Sequence, residues 1–209
     1  MNLADFAGNY GEKCSRCLMK HHLCLCDSIA AFPNRTPVTI LMHRREVFKP
    51  SGTSRLAGLA LQNCDVYLRG DAGKPLILEE VFPDPEACLF LNLSDRAHVL
   101  DDAFVAQRSF ARLVVPDGSW RQARKMGRRE PTLKRMTWVK LPPGPRSHYL
   151  LRSQPVPGGL ATIEAIARAL RVLDGPAVHE HLEAAFALMV DRTLRDRLHV
   201  RSRPTPSAA

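Results

Sequence analysis

The sequence predicts an α/β protein: a mostly parallel sheet with helices on both faces, preceded by a small metal-binding segment. Three observations lead there. Apolar and β-branched runs recur at residues 37–43, 64–68, 87–92, 110–115 and 136–141, separated by helical or polar stretches; strands joined by crossovers give this alternation. Two long segments carry a single apolar stripe each, Ile163, Ile166, Ala167 and Leu170 in one and Leu182, Phe186, Met189 and Val190 in the other, which marks amphipathic helices packed on a sheet. Finally, Cys14, Cys17, Cys24 and Cys26 crowd together ahead of the first strand, too close for a disulfide framework but well spaced for one tetrahedral Zn²⁺.

Composition narrows the class. A chain of 209 residues buries one good core and is short for two comfortable domains. The expected division is a zinc-binding segment over residues 1–33, a main domain over 34–198 and a disordered tail over 199–209, where Ser, Pro and Arg dominate. Thirty Lys and Arg against 21 Asp and Glu leave a formal charge of +9, which favours a polyanionic partner. No apolar run approaches the roughly 20 residues that cross a bilayer. The start, Met1-Asn2-Leu3-Ala4-Asp5, lacks the basic and apolar regions of a secretory signal. A soluble, cytoplasmic protein is expected, in which cysteines serve as ligands or buried thiols; Cys64 and Cys88 read as core.

Taken in order, the elements define a site. Four thiolates would close the coordination shell of a structural zinc ion, so its binding energy could hold a segment too short for its own core. Residues 37–43 form the first strand, ending at His43. A polar loop with Arg44, Arg45, Glu46 and Lys49 follows, then a helix carrying Leu56, Leu59 and Ala60 on one stripe. Its Ser51-Gly52-Thr53 opening beside Lys49 and Arg55 suits an anion, through free N–H groups and the helix dipole; ordinary N-capping explains Ser51 or Thr53 equally well. Residues 76–81 are ambiguous between strand and helix, and 95–107 are polar and partly helical.

The strand over 110–115 runs into Pro116-Asp117-Gly118-Ser119-Trp120. Pro116 and Gly118 mark a turn, so Asp117 falls at a strand's carboxyl end, where open α/β sheets place their chemistry. Ser119 is a fitting N-cap for a helix bearing Arg121, Arg124, Lys125, Arg128 and Arg129, spacings that gather charge along one side. Residues 131–133 open a short turn before the strand at 136–141. Proline and glycine at 142–145 and 155–159 bracket a loop holding Arg146, His148, Tyr149 and Arg152. Thr162 caps the next helix, stopped by Asp174-Gly175-Pro176, and a last helix spans about 178–198.

Asp117-Gly118-Ser119-Trp120 resembles the D-x-[T/S]-W signature of the DTW-domain family, whose members are tRNA-uridine aminocarboxypropyltransferases. The likeness extends to Cys14-x2-Cys17-x6-Cys24-x-Cys26, to His43-x2-Glu46-x2-Lys49-x-Ser51-Gly52-Thr53-x-Arg55-Leu56-Ala57, to Arg121-Gln122-Ala123-Arg124-Lys125-Met126, to Tyr149-x2-Arg152 and to Thr162-Ile163-Glu164-Ala165. It covers roughly residues 14–175. Ser119 stands where Thr is commoner, and Pro116 where an apolar residue is usual.

The resemblance implies a SPOUT-like fold with a C-terminal trefoil knot near the donor site. It also implies transfer of the 3-amino-3-carboxypropyl group of S-adenosylmethionine to N3 of a tRNA uridine, leaving methylthioadenosine. Asp117 would act as general base or as anchor for the donor's ammonium group, beside Ser119 and Trp120. Trp120 could stack on a base or lie in the core beneath the turn. Ser51 or Thr53, Asp117, Leu141, Tyr149 and Thr162 would line the donor pocket, with Arg152 partnering its carboxylate. Arg121, Arg124, Lys125, Arg128 and Arg129 would grip tRNA phosphates, extended by Arg16, Lys20, His21 and His22 around the zinc. His43 and Glu46 are further acid/base candidates. Two alternatives share these residues: a SPOUT-type RNA methyltransferase using the same donor, and a zinc-ribbon RNA-binding protein without catalysis.

Overall fold

The apolar runs pair side by side in the computed structural model, which describes residues 12–49, 52–71, 73–107, 109–149, 151 and 159–201. Strands β1 (Val38–His43), β2 (Cys64–Arg69), β3 (Cys88–Leu91), β4 (His98–Val99), β5 (Arg112–Asp117) and β6 (Thr137–Lys140) form one sheet in the order β2-β1-β5-β3-β6-β4. Every pairing is parallel. The five expected strands are all present. β4 is the addition: two exposed residues inside the polar stretch 95–107, too short for any periodicity and held by pairing with Val139 and Lys140. Residues 78–81 resolve as helix, as do 131–135, where only a turn was expected.

Pro116 lies within β5, not in a turn, opposite Leu41 of β1. The ladder with β3 ends at Val114, so at Pro116 only the β1 side is still paired and the missing N–H is tolerated. The turn therefore begins one residue after Asp117.

Helices are α1 (Thr53–Ala60), α2 (Leu78–Val81), α3 (Asp102–Val105), α4 (Trp120–Arg129), α5 (Pro131–Arg135), α6 (Thr162–Leu173) and α7 (Pro176–Arg201). They divide between the two faces as strand alternation requires. Ile40, Met42, Leu113, Val115, Leu89 and Val139 point toward α1, α6 and α7, in a core that includes Leu170, Leu182 and Phe186. Leu41, Val114 and Phe90 point the other way, onto Leu78, Met126, Leu133 and Met136. Residues on α7 expected inward, Leu182, Phe186, Met189 and Val190, are all buried.

Asp174 and Gly175 make the corner between α6 and α7. Gly175 adopts φ +107°, and its N–H donates to the carbonyls of Leu170 and Arg171, closing the helix end in the left-handed conformation that glycine favours. Asp174 ties the corner to the segment entering β1: Oδ2 accepts from the N–H groups of Arg35 at 2.7 Å and Thr36 at 3.0 Å, and Oδ1 from the Thr36 hydroxyl at 2.6 Å.

The cysteine segment is not a separate body. Cys17, Met19 and Leu25 share the core beneath α1, α6 and α7. Arg192 of α7 donates to the carbonyl of Cys24 and, at 2.7 Å, to the Ser28 hydroxyl. Residues 1–11 and 202–209 lie outside the described residues; of the tail expected to be disordered from 199, residues 199–201 continue α7 and the rest falls outside. Among the described residues no helix is long and apolar enough to cross a membrane.

Asp174→Ala should lower unfolding free energy by about 1–3 kcal/mol through loss of these bonds, a fall of roughly 2–12 °C in Tm for a chain of this size. Thermal denaturation checks this, and an unchanged midpoint would show that the corner carries no stability.

Candidate active site

The strand order creates a crevice. From β1 the chain passes to β2 on one side, and from β5 it passes through α4 and α5 toward β6 on the other. Adjacent parallel strands whose connections leave in opposite directions part at their carboxyl ends, and ligands bind there. His43 ends β1, and Asp117 ends β5 opposite Met42.

Asp117 is 7 % exposed. Its Oδ2 accepts from the Ser54 hydroxyl at 2.8 Å and its Oδ1 from the Thr162 hydroxyl at 2.6 Å. Both donors come from first turns, Ser54 in α1 and Thr162 in α6. Thr162 is thus not the cap the sequence suggested. Ala161 occupies the N-cap position, and the Glu164 carboxylate accepts its N–H at 2.7 Å, which leaves the Thr162 hydroxyl to serve Asp117. Likewise Gly52, not Thr53, is the N-cap of α1, and the Thr53 hydroxyl accepts from the Ile163 N–H at 3.5 Å. Ser54 escaped the sequence reading. Its only signal was a third hydroxyl residue following Ser51 and Thr53.

A cavity of about 770 Å³ opens beside the carboxylate. Thr53, Asp117, Ser119, Trp120, Leu141, Tyr149 and Thr162 all line it, so the structure gathers these predicted residues from four separate stretches of chain. Ser51 and Arg152 lie outside the described residues. Trp120 is half-buried on the wall, not core beneath the turn. Tyr149 is buried, its ring 5.4 Å from that of Phe186. Residues 142–145 complete the rim, together with Lys140 and Arg168, whose guanidinium donates to the Pro145 carbonyl at 2.7 Å. No local pattern in the sequence marks Lys140 or Arg168 as site residues.

Ser119 caps α4 as expected. Its Oγ accepts from the Gln122 N–H at 3.3 Å, and Gln122 Oε1 accepts the Ser119 N–H at 2.7 Å, a reciprocal capping box. A Cβ on Gly118 would come 3.0 Å from that Gln122 oxygen, so the turn accepts no larger residue without displacing the cap. The cations of α4 do not form one stripe. Arg124 lines the Asp117 cavity, Arg121 and Lys125 line a second cleft, and Arg128 and Arg129 are exposed outside both. Around the helix axis Arg124 stands about 60° from Arg121 and about 100° from Lys125, enough to divide them around a rim.

His43 and Glu46 also part company. Glu46 is buried on the Asp117 cavity and pairs with Lys49 at 2.5 Å, whereas His43 lines the second cleft. Partial burial, reinforced by Arg45, Arg69 and Arg44 and only partly opposed by Glu46, holds the His43 pKa below its ordinary value. This disfavours the imidazolium, and Nδ1 accepts the Arg45 N–H at 3.2 Å.

The four thiols of Cys14, Cys17, Cys24 and Cys26 lie within 4.8 Å of one another, with Cys14–Cys26 and Cys17–Cys24 sulfur separations of 3.7 and 3.8 Å. Four sulfurs about 2.3 Å from one tetrahedral zinc stand about 3.8 Å apart, so the cluster can hold such an ion. Burial opposes ionisation of Cys14, but backbone donors at Cys17 and Arg16 and the Cys24 and Cys26 thiols outweigh it and bring its pKa down to about 7. Burial pushes Cys17 and Cys26 up. One sulfur is thus ready to bind at neutral pH, and others must release protons to the solvent as the metal enters. The surrounding polar side chains are less available than expected: Lys20 and His22 both bond to Asp196 of α7, at 2.9 and 2.8 Å.

Purified protein should carry one zinc per chain by elemental analysis, and Cys17→Ser should lose it and melt at lower temperature. Because Cys17 and Cys26 must be deprotonated, apparent zinc affinity should weaken as pH falls from 8 to 6, measured by competition with a chromogenic chelator. Full stability in chelator would rule out a structural metal.

The DTW-domain profile matches residues 11–194. The chain is 28% identical over 177 residues to the tRNA-uridine aminocarboxypropyltransferase 2 of Drosophila melanogaster, covering 79% of this chain and 68% of that protein. It is 27% identical over 175 residues to the protein of the same name from Macaca fascicularis, covering 78% of this chain and 56% of that one. No solved structure matches. With its Asp-Gly-Ser-Trp turn at the carboxyl end of β5 and a match that runs from the cysteine segment into α7, the chain belongs to the DTW-domain family.

Proposed function

We propose that the protein transfers the 3-amino-3-carboxypropyl group of S-adenosylmethionine to N3 of a tRNA uridine. The observation that carries this reading is the buried carboxylate of Asp117, fixed by two hydroxyls on the wall of a cavity large enough for a nucleoside-sized donor. Named relatives support the reaction class. The donor supplies a sulfonium-activated carbon: the carbon–sulfur bond breaks, a carbon–nitrogen bond forms, methylthioadenosine leaves and the N3 proton passes to solvent.

The protein's own contribution is orientation. Three carbons flank the sulfonium, and only the one presented in line with the nucleophile reacts. Both oxygens of Asp117 are already held by hydroxyls, which suits a fixed negative charge orienting the donor's cationic end better than a base that takes and releases a proton. Thr53, Leu141, Tyr149 and Thr162 shape the pocket around it, with Ser51 and Arg152 in the same role by family likeness. Ser119 fixes the turn through its cap, and Trp120 offers a π-face at the wall for a base. The α4 cations, Arg121, Arg124, Lys125, Arg128 and Arg129, bind tRNA phosphates without reading sequence. A SPOUT-like fold with a C-terminal trefoil knot belongs to the same proposal, supported by the return of the chain after β6 to the end of β5, where Thr162 meets Asp117. Zinc in the cysteine cluster is structural in this scheme.

Asp117→Ala should cut transfer by about 10²–10³-fold, the cost of losing one preorganised electrostatic group, with tRNA affinity retained. Methylthioadenosine should be the by-product by mass spectrometry. S-adenosylhomocysteine in its place would mean methyl transfer, and intact modification by Asp117→Ala would leave only an RNA-binding role. Reversing Arg128 and Arg129 to Glu, outside both concavities, should weaken tRNA binding and leave donor affinity unchanged by calorimetry.

A further inference from the structure

Beside the Asp117 cavity lies a second concavity of about 830 Å³, and Ser119 lines both. Its wall carries five cations from three elements. Arg44 and Arg45 come from the turn after β1, Arg69 from the last residue of β2, and Arg121 and Lys125 from the first turns of α4. The register places His43 opposite Arg69 at the carboxyl ends of β1 and β2, so the same sheet edge that presents Asp117 also gathers these guanidinium groups. Arg69 is committed to Glu130. Among the described residues, Arg44, Arg45, Arg121 and Lys125 have no carboxylate within ion-pair distance.

Four uncompensated cations converging in one concavity repel one another, a cost that an anionic ligand removes. A solvated basic face would spread them on a convex surface. Resting on the reading above, we infer that this cleft holds the phosphodiester backbone of the acceptor RNA next to the modified uridine. The donor occupies the cavity on the other side of Ser119. Two features favour RNA backbone over an acidic peptide. The arginines supply planar forks matched to phosphate oxygens, and the cleft is continuous at Ser119 with the wall that holds Asp117 and Trp120, where a nucleobase must arrive. His43, with Gln122 Nε2 at 3.2 Å from its Nδ1 and 3.4 Å from its Nε2, completes the lining between the arginines. The assignment places RNA contacts on Arg44 and Arg45, outside the basic helix.

The test uses full-length protein and unmodified tRNA. The Arg44→Ala, Arg45→Ala double variant should bind tRNA at least roughly tenfold more weakly. Its plot of log affinity against log salt should be shallower by about 1.4–1.8, the loss expected for two phosphate contacts. S-adenosylmethionine affinity should be unchanged, and steady-state kinetics should show the defect in KM for tRNA. A second readout needs no substitution. In wild-type protein saturated with tRNA, Lys125 should be shielded from acetylation, while exposed Lys134, outside the cleft, should react as before. Unchanged affinity and slope in the double variant, or full reactivity of Lys125 in the complex, would overturn the cleft assignment and leave the proposed reaction standing. Failure of wild-type protein to bind either tRNA or S-adenosylmethionine would instead remove the reaction itself.

Discussion

The carboxylate of Asp117 is the constraint on which the site depends. An ionised group taken out of water is costly unless its oxygens are satisfied, and here a hydroxyl reaches each one, from Ser54 and from Thr162. Those donors belong to α1 and α6, while the acceptor ends β5. One buried carboxyl group therefore fixes the mutual position of two helices and the central strand. The Thr53 to Ile163 bond repeats the link between the helices one residue away.

The same logic extends outward to the cysteine segment. Arg55 on α1 is almost fully buried, and its guanidinium donates to the Val47 carbonyl at 3.2 Å and the Arg16 carbonyl at 3.4 Å. Arg16 lies between Cys14 and Cys17. The cysteine loop thus braces the helix that carries Ser54, while Arg192 and Asp196 of α7 hold the loop from the other side. In this arrangement the cluster has a mechanical connection to the site without contributing a ligand to it.

Much of the fold was legible because a parallel sheet covered on both faces writes its strands as continuous apolar runs. Five strands and the two long helices could be read from pattern alone. β4 could not, since two exposed residues carry no period and exist only through pairing with β6. Pro116 misled for a related reason: proline signals a turn locally, yet the end of the β3 ladder at Val114 makes it acceptable in a strand. The cap readings of Thr53 and Thr162 failed because side-chain hydroxyls at helix starts have two possible partners, and a buried carboxylate or a neighbouring helix competed successfully with the local N–H groups.

The sequence by itself determined the chemistry on offer: four thiols at metal spacing, an acid followed by glycine, a capping serine and tryptophan, and a surplus of cations. These are local properties, set by residue type and by spacings of a few positions. Only the tertiary structure decided which groups share a wall. It joined Ser54, Asp117 and Thr162, divided Arg121, Arg124 and Lys125 of α4 between two concavities, and sent His43 and Glu46 to different ones. Those pairings depend on strand order and on contacts between residues 45 and 63 positions apart, and no short-range pattern encodes them.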